Sequence, residues 1–173
     1  MVVSFALGIV SSFTVHPEFT EEFIRDFSRE LRPIVESLSV NPLMIVFLNN
    51  LRVALISFFL GPTLLIPFLV LYINGYILGA FLTYSPYSIT YNLPLILPRG
   101  VLELPAIIMS ASLGTSISLA LLNKYLLKRE VLVKQLFIRY VKYLIPITVV
   151  LALAAFIEVF ITPLVPTALG ITS

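Results

Sequence analysis

The chain has 173 residues, 59% of them apolar and only 12% charged, with a net charge of +2 and a mean hydropathy of +1.05. An ordinary soluble domain is about 45–50% apolar and about 25% charged, so no soluble core could bury this much apolar surface and the bilayer must act as solvent. With no cysteine there is no disulfide framework or thiolate nucleophile, and one histidine cannot build a multi-histidine metal centre. No metal, no cofactor and no nucleic-acid partner is expected. The expected fold class is all-α: a polytopic transmembrane helical bundle of about five spans, forming a single membrane domain over residues 1–173.

Residues 1–15 are apolar, lack a basic leading region and end without a small-residue cleavage pattern, so they read as an uncleaved first span and not a signal peptide. At about 22 Å this span is short. Residues 16–41 are polar, but Phe23, Ile24, Phe27, Leu31, Ile34, Val35 and Leu38 recur at helical spacing and predict an external amphipathic helix. Thr20 suits its N-cap, Phe19 and Ile24 its hydrophobic staple, and Pro33 a kink. Such a helix lies either on the membrane or its own bundle, or against a partner protein.

The apolar stretch from Pro42 to Tyr84 is too long for one crossing and is broken at Gly61-Pro62, giving spans at residues 43–60 and 63–83. Tyr84, Tyr87 and Tyr91 follow in a loop suited to the headgroup belt. Pro94, Pro98, Gly100 and Pro105 forbid a continuous helix over residues 93–105, and a short internal re-entrant piece is one reading of it. A fourth span is expected at residues 103–122, a basic cytoplasmic segment at 123–143 and a fifth span at 144–161.

Orientation follows from charge. Residues 123–143 hold Lys124, Lys128, Arg129, Lys134, Arg139 and Lys142 against the single acid Glu130, and positive-inside bias makes them cytoplasmic, facing anionic lipids. Residues 16–41 hold three arginines against six acids and fall outside. A multi-pass protein of the cell membrane results, with a cytoplasmic N-terminus and an external C-terminus. Counted along these spans, Asn49 and Asn50 lie about 10 Å below the outer boundary, Arg52 and Asn74 about 14 Å, and Glu103 and Glu158 within about 6 Å. With Arg99, these residues form a candidate polar cluster in the outer half of the membrane, with Arg52 expected to pair with Glu103 or Glu158. Such charges either lock the bundle or serve a ligand, ion or proton. Small residues at four-residue spacing, Ser4, Gly8 and Ser12, then Gly75 and Gly79, then Ala106, Ser110, Gly114 and Ser118, predict close helix packing within one chain or between subunits.

The runs Asn50-Leu-Arg-Val-Ala-Leu, Asn74-Gly-Tyr-Ile-Leu-Gly and Pro98-Arg-Gly-Val-Leu-Glu-Leu-Pro-Ala together resemble the stage II sporulation protein M family, over about residues 1–165. The resemblance implies several spans with an external segment after the first, and puts Asn50, Asn74, Gly75, Gly100, Glu103, Pro105 and Ala106 at motif positions. Where the family usually has histidine, this chain has the permanently charged Arg99, which speaks against proton exchange there. In endospore formers the family member resembles a membrane scaffold that recruits cell-wall hydrolases during engulfment.

Two functions follow as expectations. One is a noncatalytic integral membrane scaffold that organises partner proteins. The other is a small oligomeric transporter or channel with its polar site in the outer half of the bilayer. A homo-oligomer, such as a dimer, is expected, and an enzyme is not, because no H-E-x-x-H, G-x-S-x-G or cysteine-based arrangement occurs.

Overall fold

A computed structural model describes residues 1–14, 41–84, 92, 96 and 99–168, and these contain helices and connecting turns with no strand. The external amphipathic segment, all but Asn41 of residues 16–41, lies outside the described residues, as does most of the tyrosine loop and of the 93–98 stretch. Helix α1 is Val2–Thr14, α2 is Pro42–Phe59, and a 3-10 turn at Gly61–Thr63 leads into α3, Leu65–Tyr84. A π-helical turn at Arg99–Glu103 runs without a break into α4, Leu104–Tyr125. Helix α5, Val133–Phe156, continues through a π-helical turn at Ile157–Ile161 and a 3-10 turn at Thr162–Leu164 to a single closing turn, α6, Val165–Ala168.

Local chemistry sets these boundaries. Asn41 caps α2, its Oδ1 accepting from the Leu43 amide at 3.1 Å, and Pro42 occupies the first helical position, where no donor is lost. After α2 the chain reverses on Gly61-Pro62, closed by the Leu64 amide donating to the Gly61 carbonyl at 2.9 Å. Pro146 lies inside α5, where it removes one helical hydrogen bond without ending the helix.

Four helical stretches are long and apolar enough to cross a membrane: Pro42–Phe59, Leu65–Tyr84, Gly100–Tyr125 and Val133–Leu164. Val2–Thr14 is apolar but shorter. The last stretch starts at Val133 and not at residue 144, so Lys134, Arg139 and Lys142 stand on a continuous helix and only residues 126–132 link α4 to α5. The basic segment is therefore about one-third link and two-thirds helix: charges on an exposed helical surface do not interrupt backbone hydrogen bonding. At 32 residues, this stretch is about 48 Å long and exceeds the hydrocarbon thickness.

The helices assemble in two close pairs. Helix α1 packs mainly on α3. A Cβ on Gly8 would strike the Tyr72 carbonyl, one on Gly75 the Phe5 carbonyl, and one on Gly79 would lie 2.9 Å from the Ile9 carbonyl. Ser4 donates across this seam to the Phe68 carbonyl at 2.6 Å. The second pair is α2 with α4. There Ser110 donates to the Ala54 carbonyl at 2.7 Å, Ser118 donates to the Pro62 carbonyl at 3.0 Å, and the backbones of Gly61 and Gly114 lie against each other. Lipid supplies no hydrophobic drive between helices, so small residues that admit close backbone approach, and hydroxyls that bond across the seam, hold them together. Helix α5 lies on both α2 and α4, and Leu71, Ala54, Ile107, Ala111, Ile147 and Leu151 fill the shared core. Outside it, Leu65, Val3 and Ile145 are each about 70% exposed, a surface that suits acyl chains and not water.

Candidate functional site

The polar residues expected to converge do not form one cluster. Asn50 on α2 and Glu103 at the head of α4 are buried, 4% and 1% exposed, and the Asn50 Nδ2 donates to Glu103 Oε1 at 2.5 Å. The bond exists because α2 and α4 run parallel and in register, with Asn50 facing Glu103, Ala54 facing Ser110 and Pro62 facing Ser118. The π-helical turn that ends in Glu103 also packs against α5, so this carboxylate sits where three helices meet. A carboxylate taken out of water needs donors, and a charge-assisted amide bond is among the stronger ones available.

Arg52 does not take that place. It is exposed on α2 and forms no ion pair among the described residues, and Asn49 is exposed beside it. Asn74 turns back on its own helix, its Nδ2 donating to the Val70 carbonyl at 2.8 Å. The Arg99 backbone begins the π-helical turn, and its side chain lies outside the described residues. Glu158 is half-buried in the second π-helical turn, its Oε2 buried without a hydrogen-bond partner.

Arg52 and Glu158 form no ion pair among the described residues. Helices α2 and α5 run antiparallel: Phe58 meets Phe137, their ring centroids 6.0 Å apart, while Ala54 shares the core with Ile147 and Leu151. Glu158 stands beyond these contacts, in the π-helical turn that follows α5. An ionised arginine near the centre of a span costs on the order of 2.5–3.5 kcal/mol on insertion scales, which makes its exposure the least comfortable feature of the molecule.

The packing residues Gly8, Gly75, Gly79, Ser110 and Gly114 all lie at helix contacts within one chain, and Ala106 lies in the core. Sequence reasoning missed Asn92, which is wholly buried though it reads as loop, and the packing role of Gly61, whose pairing with Pro62 signals only a break. Lys124, Lys128 and Arg129 are exposed around the α4–α5 link, and Lys134, Arg139 and Lys142 are exposed on the start of α5. All six stand at the end of the bundle that also holds the Gly61–Thr63 turn, since Phe58 and Phe137 meet there. Among the described residues no group of three or more His, Cys, Asp or Glu side chains could hold a metal ion.

These features define a multispanning α-helical membrane protein whose helices pair through small residues around a sealed amide and carboxylate. The family model for Stage II sporulation protein M matches residues 1–163, and the chain belongs to that family. It is similar to an uncharacterized protein of Methanocaldococcus jannaschii, 35% identical over 96 residues, which are 52% of this chain and 42% of that protein. The match thus spans less than half of that relative's length. No solved structure matches.

Proposed function

We propose that this protein is a noncatalytic scaffold of the cell membrane that organises partner proteins. The observation that carries the reading is the sealing of Glu103: this buried carboxylate is bonded to Asn50 between packed helices, while Arg52 and the basic residues of the α4–α5 link and the start of α5 stand exposed. Interior polarity spent on helix contacts suits a rigid frame, and peripheral polarity suits attachment. The basic end of the bundle faces the cytoplasm in this reading and contacts anionic lipid, each Lys or Arg near the surface adding about 1 kcal/mol. With that end inside, the N-terminus is cytoplasmic, the acidic 16–41 segment external and the C-terminus external.

A small oligomeric transporter is the second reading. It is favoured by Glu158, whose buried Oε2 lacks a partner, and by the two π-helical turns, which often mark functional positions.

Crosslinking in native membranes separates the two. The scaffold reading expects one protein to be recovered with the intact chain and lost when residues 16–41 are replaced by a neutral linker or when the exposed Lys124, Lys128 and Arg129 are changed to glutamine. Solute flux by the purified protein alone in liposomes, abolished by Glu158→Gln, would overturn it.

A further inference from the structure

We infer that the Arg52 face of α2 docks a separate transmembrane helix bearing a carboxylate at mid-membrane depth. This deepens the scaffold reading by giving the chemistry of one partner, and rests on it. Met44, Leu48, Asn49, Arg52 and Phe59 are all exposed and recur at three-, four- and seven-residue spacing, so they line one stripe of α2. The stripe is apolar except at its middle, where Asn49 and Arg52 stand one helical turn apart.

A guanidinium cannot shed its proton to become neutral in lipid, and its forked donors match the two oxygens of a carboxylate. The amide of Asn49 supplies a further donor to the same acid. Apolar residues on either side supply the packing surface along which another helix would lie.

Among the described residues no acid fills the place. Glu103 is sealed against Asn50. Glu158 stands in the π-helical turn beyond α5 and forms no ion pair with Arg52 among the described residues. Glu130 is in the link beyond the opposite end of α4. With no described acid beside Arg52, the apolar residues flanking it favour an acid carried on another helix.

The test uses the full chain in zwitterionic liposomes with a synthetic polyleucine transmembrane peptide carrying one central glutamate, and reads association by fluorescence energy transfer. Controls carry glutamine at the centre, or glutamate one turn from an end. The central-glutamate peptide is expected to bind about tenfold more tightly than either control, and Arg52→Leu, with unchanged helix content, is expected to abolish the difference. Equal binding of all three peptides, or a preference that survives Arg52→Leu, overturns the inference. So does Arg52-dependent self-association of the protein without peptide, which would assign the face to a second copy, or a requirement for anionic lipid, which would assign Arg52 to a phosphate. Failure here leaves the crosslinking outcome unaffected, so the fate of the scaffold reading is decided separately.

Discussion

Gly114→Ala is expected to destabilise the bundle by about 3 kcal/mol, within the range of overpacking in tight cores, and to lower its thermal midpoint in mild detergent. A Cβ at this position would lie 2.5 Å from the Phe58 carbonyl and 2.7 Å from the Ser57 carbonyl. Both obstacles are backbone, so no rotamer change relieves them and α2 must move away from α4. Moving it stretches the bonds from Ser110 to Ala54 and from Ser118 to Pro62. Gly100→Ala provides the contrast, because a Cβ there meets nothing within 4 Å. Its thermal midpoint should stay within a degree or two of the native value, as for a substitution that touches no packed feature. Equal midpoints for the two variants would show that close approach of α2 to α4 does not hold the fold.

The second large effect belongs to the buried pair. Asn50→Leu removes the amide that donates to Glu103 and leaves a sealed carboxylate short of a donor, with an expected loss of about 2–3 kcal/mol. Removing both partners is gentler than removing one, because the desolvation penalty disappears with the polar group. The double variant Asn50→Leu, Glu103→Leu should therefore lose less than the sum of the single changes. A cycle measured by denaturant titration in detergent checks this, and strict additivity would mean that the two side chains do not act as a pair.

Much of this architecture was legible because bilayer solvation constrains sequence so strongly. The apolar lengths and the Gly61-Pro62 break gave α2 and α3 nearly to the residue, since Pro42 and Asn41 form a local cap that needs no tertiary partner. Four-residue spacing of Ser110, Gly114 and Ser118 suggests a seam, but which helix lies across it depends on three-dimensional pairing. The start of α5 was harder. Lys134, Arg139 and Lys142 lower the hydropathy of its first turns, and hydropathy reads exposure to lipid, not helicity.

The candidate site was legible in its members and not in their grouping. Counting residues along each span gives depth but not the direction a side chain faces, so Asn49 and Asn50 appeared equivalent although the first is exposed and the second buried. Arg52 was the natural partner for an acid by charge. Rotation of α2 instead turns Asn50 inward, toward Glu103, and leaves Arg52 outside.

The central claim is that the bundle interior around Asn50 and Glu103 is a sealed structural lock and not a wet path. Since the chain has no native cysteine, single-cysteine reporters give an unambiguous reading. Ala106 lies one turn beyond Glu103 and is 5% exposed, so Ala106→Cys places a thiol beside the pair with little change in volume. In proteoliposomes treated with a membrane-impermeant thiol reagent on either side, Ala106→Cys is predicted to stay unlabelled while Lys128→Cys in the α4–α5 link reacts readily. Rapid labelling of Ala106→Cys in the folded protein would contradict the account and place water at the site.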